Sequence, residues 1–498
     1  MTFEQRFNRA MDRIWSWFGR QVGWAEGRPE VPHEGGFQPS ALTGAFVLAA
    51  VAYQIVSGGL LLLYYQPSVY PTLTLCGQAS GVVSSSPAAW CSTYYIVHSV
   101  PMGGVLLTTH LYGAYVVIFL MLVHLFRGYY VGTYKRPGRA FSWVAGVALL
   151  LLTLGMGFTG YLLTYTQLSY NATSVSITLV QALPVVGPSL ASLMTGDGTP
   201  QSLLSRMFAL HVILFPGAIA VLVFLHKRTT LYPRVYLTLA KWGLLYVGVL
   251  VAVATAWPWQ LPTYAGNLGA TQPVTVPAWY FLWVFKLVDF IGVTPADAML
   301  FAAAVVLFLC LLPFIDRSHR FRPRDRPVFL FLGNSLLGFF VLMTAWGDLA
   351  PGVPITPTEA AVRLGPVVGV NALAVALFYG RYRRSWGQNA IVVPPLAEPA
   401  GVRTDSRAVA PVRSGPVTLP TLLSLLALIG SLFLLAFGLL LPFLCLMAAI
   451  FVGLAESTRT TGPEGRTGSP GQGTLVFPLV ALSAVAALLV ALVMAVVA

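Results

Sequence analysis

The reading of this chain turns on residues 110–134, HLYGAYVVIFLMLVHLFRGYYVGTY, and residues 205–226, SRMFALHVILFPGAIAVLVFLH. Each stretch is long and apolar enough to cross a bilayer as a helix, because about 20 apolar residues at about 1.5 Å rise cover the hydrocarbon core. Each also buries two histidines in that apolar run: His110 and His124 in the first, His211 and His226 in the second. An imidazole in hydrocarbon is costly unless paired or coordinated, so such groups point to function. At about 100° per residue, a separation of 14 returns a side chain to within about 40° of its starting direction, and 15 to within about 60°. Each pair therefore shares a helix face, its members about 21–22 Å apart along the axis.

The rest of the sequence follows the same pattern. Of 498 residues, 57% are hydrophobic and 9% carry a formal charge, against about 25% charged in soluble domains. The fold class expected is all-α, a polytopic transmembrane bundle. Eight core helices are expected near 41–64, 103–126, 142–163, 204–226, 242–258, 295–315, 327–347 and 361–380, with about two more spans toward the C-terminus. The organisation is an amphipathic interfacial segment over 1–40, which lacks the short apolar core of a signal peptide, a four-helix bundle over 41–240 and a second core region over 241–384. A polar linker, 385–418, and an apolar extension, 419–498, follow. Over 419–455 the extension is either one crossing bent at Pro442 or a tight hairpin. The net charge of +13 is spread over connections between apolar stretches, where it orients helices and gives no weight to nucleic-acid binding.

Charge also sets the register. The connections after the second, fourth, sixth and eighth spans carry basic residues, among them Arg127, Lys135, Arg139, Lys241, Arg317, Arg326 and Arg381, whereas 66–102, 164–203 and 259–285 contain no Lys or Arg. By the positive-inside rule the N-terminus and the basic loops are cytoplasmic. The two histidine-bearing spans then run in the same direction, so His110 lies level with His211 and His124 with His226. Two levels of two facing imidazoles fit two bis-histidine hemes stacked across the membrane; zinc would need four ligands at one level. Gly58, Gly113, Gly128, Gly157 and Gly160 either let a porphyrin approach the backbone or serve ordinary helix packing. The uncharged outer loops are expected to form short surface helices. Cys76 and Cys91 share the first of these loops, an oxidising location, and are expected to pair as a disulfide; Cys310 and Cys445 lie in apolar spans as packing residues.

Several motifs, in order, carry a resemblance: QIVSGGLLLLYYQP (54–67), the two stretches above, GYLLTYTQLSYNATSV (160–175), PAWYFLWVFKLV (277–288) and LLPFIDRSHRFRPRDRP (311–327). Over roughly residues 30–380 the chain resembles cytochrome b of the quinol-oxidising cytochrome bc and bf complexes. The resemblance implies a low-potential heme on His110 and His211 near the outer face and a high-potential heme on His124 and His226 near the inner face. It implies quinol oxidation between Tyr161–Ala172, including Thr166, and the PEWY counterpart Pro277, Ala278, Trp279 and Tyr280. One electron would pass to a Rieske iron-sulfur protein and a c-type cytochrome or equivalent, the other through both hemes to quinone, in a Q cycle that moves protons outward. A homodimeric complex in the lipid of a prokaryotic plasma membrane is implied as well. Arg127 and Arg206 suit heme propionates or interface anchoring.

Four departures stand out. The PEWY glutamate is Ala278, which cannot ionise, so proton release must use Tyr280, Tyr161 or water. An arginine common before the first ligand is Leu107; His98 stands in for it or, the simpler reading, is an interfacial polar residue. A glycine of the oxidation wall is Ala172, whose methyl is expected to weaken strobilurin-type inhibition. No cysteine precedes Cys76, so the covalent extra heme of the bf branch is not expected. At the inner face Arg234, Lys241 and the N-terminal segment are candidates for quinone reduction. Two rival readings are a diheme anchor that passes electrons between quinone and a dehydrogenase without a Q cycle, and a transporter or assembly scaffold, which leaves the histidine register unexplained.

Overall fold

The computed structural model describes residues 43–71, 86–135, 139–227, 233–266, 275–318 and 326–383. The segment 1–40, the linker, the extension, Cys76, Cys445 and the side chains of Arg234 and Lys241 lie outside the described residues. Among those described the chain is helical, and its β-type contacts are isolated bridges. The helices are α1 (Thr43–Leu62), α2 (Ala88–His98), α3 (Gly103–Val131), α4 (Ala140–Leu163), α5 (Gln167–Gln181), α6 (Gly187–Thr195) and α7 (Pro200–Ala209). A π turn over Leu210–Leu214 joins α7 to α8 (Phe215–Lys227). There follow α9 (Pro233–Ala256), α10 (Leu282–Leu287), α11 (Pro295–Ile315), α12 (Pro327–Leu349) and α13 (Pro357–Arg383).

Seven described helices are long and apolar enough to cross a membrane: α1, α3, α4, the continuous α7–α8, α11, α12 and α13. The span expected at 242–258 differs. Helix α9 begins at Pro233 with the partly polar PRVYLTLAKW, and its apolar part is only Tyr246–Ala256. The connections poor in charge contain short helices, with α2 in the first, α5 and α6 in the second, and a 3-10 turn (Trp279–Phe281) leading into α10 in the third.

Local sequence explains where elements start and stop. Thr199, Thr294 and Thr356 each precede a proline and accept a hydrogen bond from the backbone N–H three residues on. Asp297 and Glu359 return the bond to the threonine N–H, which is the reciprocal capping box. Helix α3 closes at Gly132, whose left-handed φ of 67° lets its N–H reach the last turn.

Helix α1 packs along α3 and α4 along α8, forming a four-helix group with α9 against α1 and α3; α12 packs on α10 and α13. A buried polar cluster fastens the two parts together at one end. Asp316, just past α11, accepts from Lys135 Nζ (2.7 Å), Arg326 Nη1 (2.7 Å) and the Tyr134 hydroxyl (2.8 Å). Arg326 also donates to the Tyr130 carbonyl at 2.9 Å, so the end of α3 is tied to the end of α11 and the start of α12. Burial pushes the Asp316 carboxyl up, but the hydrogen bonds from Lys135, Arg326, Tyr134 and Ser318 outweigh it and hold it below the usual carboxylate value.

Candidate functional site

Helix α3 and the continuous α7–α8 bring the intramembrane histidines into two facing pairs. The His110 and His211 ring centres are 6.3 Å apart and their planes cross at 81°; His124 and His226 are 6.2 Å apart and cross at 72°. Two metal–imidazole bonds of about 2.0–2.1 Å and two ring radii of about 1.1 Å come to about 6.3 Å, so each gap has room for one metal atom. Among the described residues no group of three or more His, Cys, Asp or Glu gathers to hold a metal. A metal between these rings would meet no further His, Cys, Asp or Glu among the described residues, and a porphyrin would supply its remaining ligands.

The rings are held at Nδ1, leaving Nε2 for the metal. His211 Nδ1–H donates to the Met156 carbonyl (3.0 Å) and His226 Nδ1–H to the Ser142 carbonyl (2.6 Å). Ser57 Oγ commits its proton to the Tyr53 carbonyl at 2.8 Å and so accepts from His110 Nδ1 at 2.9 Å. His124 Nδ1 pairs with Thr43 Oγ1 at 2.9 Å. A hydrogen bond that fixes the second ring nitrogen sets the tautomer and orientation of a ligating imidazole.

A glycine sits against each ring. A Cβ would stand 3.0 Å from His110 Cε1 at Gly58, 3.1 Å from His124 Cε1 at Gly44 and 3.1 Å from His226 Cε1 at Gly146, and at Gly160 it would run into His211 Cε1. Gly44 and Gly146 are absent from the sequence reading above. The signal was present: Gly44 and Gly58, like Gly146 and Gly160, are 14 apart, the spacing of His110 and His124. Gly128 lies elsewhere, against Trp143 and Thr133, Gly113 against Gln54, and Gly157 against the Tyr280 hydroxyl.

The 15-residue separation of His211 and His226 is resolved by the π turn in which His211 sits. A π turn closes i→i+5 and takes one extra residue, so 15 residues here make the same number of turns as 14 on α3. The offset expected from sequence is thereby removed, in keeping with the nearly equal ring separations of the two pairs.

At one end of this bundle the 277–281 turn packs on Gly157 and Phe158 of α4, just before the segment 161–172. Tyr280 is buried and lies against Gly157, Phe281 meets Phe158 edge-on at 6.5 Å, and Tyr115 of α3 meets Tyr280 at 6.2 Å. Tyr115 and Ala278 pack on the same buried cluster as Trp279 and Tyr280. Burial pushes the Tyr280 phenol well above its ordinary value, with Tyr115 and Tyr161 adding to the shift. It stays neutral and can pass a proton only by accepting one as it gives one up. Tyr115 was missed because its position five residues after His110 looked like ordinary packing.

The other wall is shaped by strain and a cap. Tyr165 takes a left-handed φ of 48°, and Thr166 begins α5 through a reciprocal pair of bonds with Ser169. Gln167 N–H donates to the Thr263 carbonyl (2.9 Å) and Ala265 N–H to the Tyr165 carbonyl (3.0 Å), strapping this wall to 261–266. Ala172 is buried on α5. Arg206 donates to the Leu193 carbonyl at 3.1 Å, at the end of α6. Arg127 is half-buried near the end of α3, and Cys91 is buried and disulfide-bonded. His98 stacks on Tyr94 within α2.

Residues 115–232 match the family model described as cytochrome b(N-terminal)/b6/petB, and residues 265–364 that described as cytochrome b(C-terminal)/b6/petD. The chain is 32% identical over 391 residues to a cytochrome b of Sulfolobus acidocaldarius, covering 67% of this chain and 66% of that protein. It is 30% identical over 326 residues to a cytochrome bc complex cytochrome b subunit of Chlorobaculum thiosulfatiphilum, covering 60% and 72%. It is 32% identical over 185 residues to a menaquinol:cytochrome c reductase cytochrome b subunit of Geobacillus thermodenitrificans, covering 37% and 75%. A solved structure titled hyperthermophilic respiratory Complex III shares the fold, with a TM-score of 0.50 at 23% identity over 70% of this chain and 90% of that one. Two family models spanning both halves of the bundle, and relatives matched over most of their own length, show that the chain belongs to the cytochrome b family.

Proposed function

We propose that this chain is the diheme cytochrome b subunit of a quinol:cytochrome c (or equivalent acceptor) oxidoreductase, oxidising quinol at the outer face and passing electrons across the membrane in a Q cycle. The observation that carries this reading is the pair of facing imidazole couples, each with Nδ1 engaged and a glycine behind every ring. His110 with His211 would hold the outer heme and His124 with His226 the inner one. When bound, the two macrocycles supply two one-electron carriers stacked along the membrane normal. The protein's own part is to fix the tautomers, keep glycine where the plates need space, and hold the two sites about 21 Å apart along α3.

Quinol is placed between Tyr161–Ala172 and the PAWY turn. Ala278 has no proton to exchange, so the neutral phenols of Tyr280 and Tyr161, or water beside them, relay the quinol protons outward. The partners are a Rieske iron-sulfur protein and a c-type cytochrome or equivalent, in a homodimeric complex of a prokaryotic plasma membrane, with the N-terminus cytoplasmic and Cys76 bonded to Cys91. The rival anchor without a Q cycle has no use for a second pocket, and the convergence of Tyr115, Gly157 and Tyr280 disfavours it. Purification in mild detergent with subunit identification tests the proposal. Rieske and c-type subunits with quinol-dependent reduction of an acceptor are expected; a dehydrogenase partner with neither subunit supports the rival.

A further inference from the structure

Apart from the imidazole pairs and the PAWY turn, a cleft of about 550 Å³ opens between α2, the corner leading into α3, and the end of α9. One wall is a ladder of rings spaced one helical turn apart: Trp90 on Tyr94 (5.4 Å, 28°) and Tyr94 on His98 (4.1 Å, 19°). The opposite wall includes Pro258, Trp259 and Gln260. Two lining residues keep an acceptor atom unspent. His98 Nδ1–H donates to the Tyr94 carbonyl at 3.0 Å, which leaves its exposed Nε2 for a ligand hydroxyl. Gln260 commits Nε2 to the Pro258 carbonyl at 3.2 Å and keeps Oε1.

The chemistry of the lining selects its ligand. Residues 66–102 and 259–285 contain no Lys, Arg, Asp or Glu, so nothing from these connections pairs with a phosphate or a charged headgroup. Stacked rings favour a flat ligand, and two acceptors favour one that donates hydroxyls. The cleft lies where α3 begins and the apolar part of α9 ends, at the level where an amphiphile's head meets water. We propose that this cleft binds the head ring of a quinol, at a second site distinct from the oxidation pocket. The identity of the ring rests on the quinol reading above; the selection of a neutral, planar hydroxyl donor does not. The cleft also borders the strap to the oxidation wall, since Trp90 Nε1–H donates to the Pro262 carbonyl at 2.8 Å. A quinol held here waits beside the site that consumes it.

The test is photolabelling of the intact complex in mild detergent with a short-chain hydroquinone carrying a diazirine beside its ring, followed by peptide mapping. Labelling is expected in 88–105 and 254–261, competed by excess unlabelled hydroquinone. It should fall at least fivefold in His98→Phe/Gln260→Leu, which keeps the ladder and removes both acceptors, while labelling at 277–281 holds. Absent labelling at the cleft, labelling that excess ligand does not compete, or labelling equal in the double variant would overturn the proposal. If the cleft labels but the complex oxidises no quinol, the proposed function fails and this site stands; if quinol is oxidised and the cleft stays unlabelled, only this inference fails.

Discussion

Gly160 and Ala172 show how much a single methyl can decide. A Cβ at Gly160 would occupy the position of the His211 ring edge, so Gly160→Val is expected to remove the outer heme and leave the inner one. A reduced-minus-oxidised spectrum should show half the wild-type amplitude at the b-type band. Ala172 is buried on α5, the proposed wall of the oxidation site, and one methylene in a pocket is worth about 10–200-fold in selectivity. Ala172→Gly should therefore make quinol oxidation at least about tenfold more sensitive to strobilurin-type inhibitors in a titration. At this scale the sequence was most readable for the four histidines, because a polar ring in an apolar run has few other reasons to be there. It was least readable for Gly44 and Gly146, because glycine is common in packed membrane helices and only its 14-residue recurrence set these apart. Gly128 illustrates the converse, a glycine near a ligand that serves Trp143 instead.

Elements convert these residues into positions. The π turn at Leu210–Leu214 was invisible to a periodicity of 3.6, since that analysis assigns the extra residue to a rotation of the helix face rather than to a local bulge. Helix α9 was misjudged in extent because a lysine and an arginine lie within its first turns, and hydropathy places the start of a span only where charge ends. The short helices between the spans were legible because connections of 27 to 40 residues with at most one charge, Asp197, are too long to stay structureless in a compact bundle, yet the cap that starts α5 was not singled out. Thr166 there accepts from Ser169 N–H at 3.2 Å, immediately after the left-handed Tyr165. Thr166→Ala should cost about 1 kcal/mol of local stability and slow quinol oxidation, while the heme spectrum stays at wild-type amplitude. Loss of heme together with activity would instead mean that this cap supports the whole bundle rather than one wall.

Among the described residues, the two helical parts are fastened together by the Asp316 cluster, in which the Lys135, Asp316 and Arg326 side chains are at most 4% exposed. Breaking a buried pair by removing one partner typically costs about 3–5 kcal/mol, so Asp316→Asn should lower the thermal unfolding midpoint clearly. The sign with pH follows from the depressed carboxyl: its contribution is complete above the ordinary carboxylate value of about 3.9 and is lost as pH falls through the lower folded value. Wild-type stability should thus drop below about pH 4, and Asp316→Asn should flatten that drop; an unchanged acid limb would assign acid sensitivity to other groups. Across the molecule, the seven apolar helices and the family are a matter of composition and motif order, and both could be read directly. What composition could not reveal is that two pairs of rings, one ring of each pair on α3 and the other on α7–α8, close to within 6.3 Å. The most direct measurement of the central claim is heme quantification by pyridine hemochrome on the purified chain and on each His→Ala variant. Two noncovalent b hemes per chain are predicted, falling to one when His110, His211, His124 or His226 is replaced; a colourless chain, or pigment unchanged by any of the four substitutions, would contradict it.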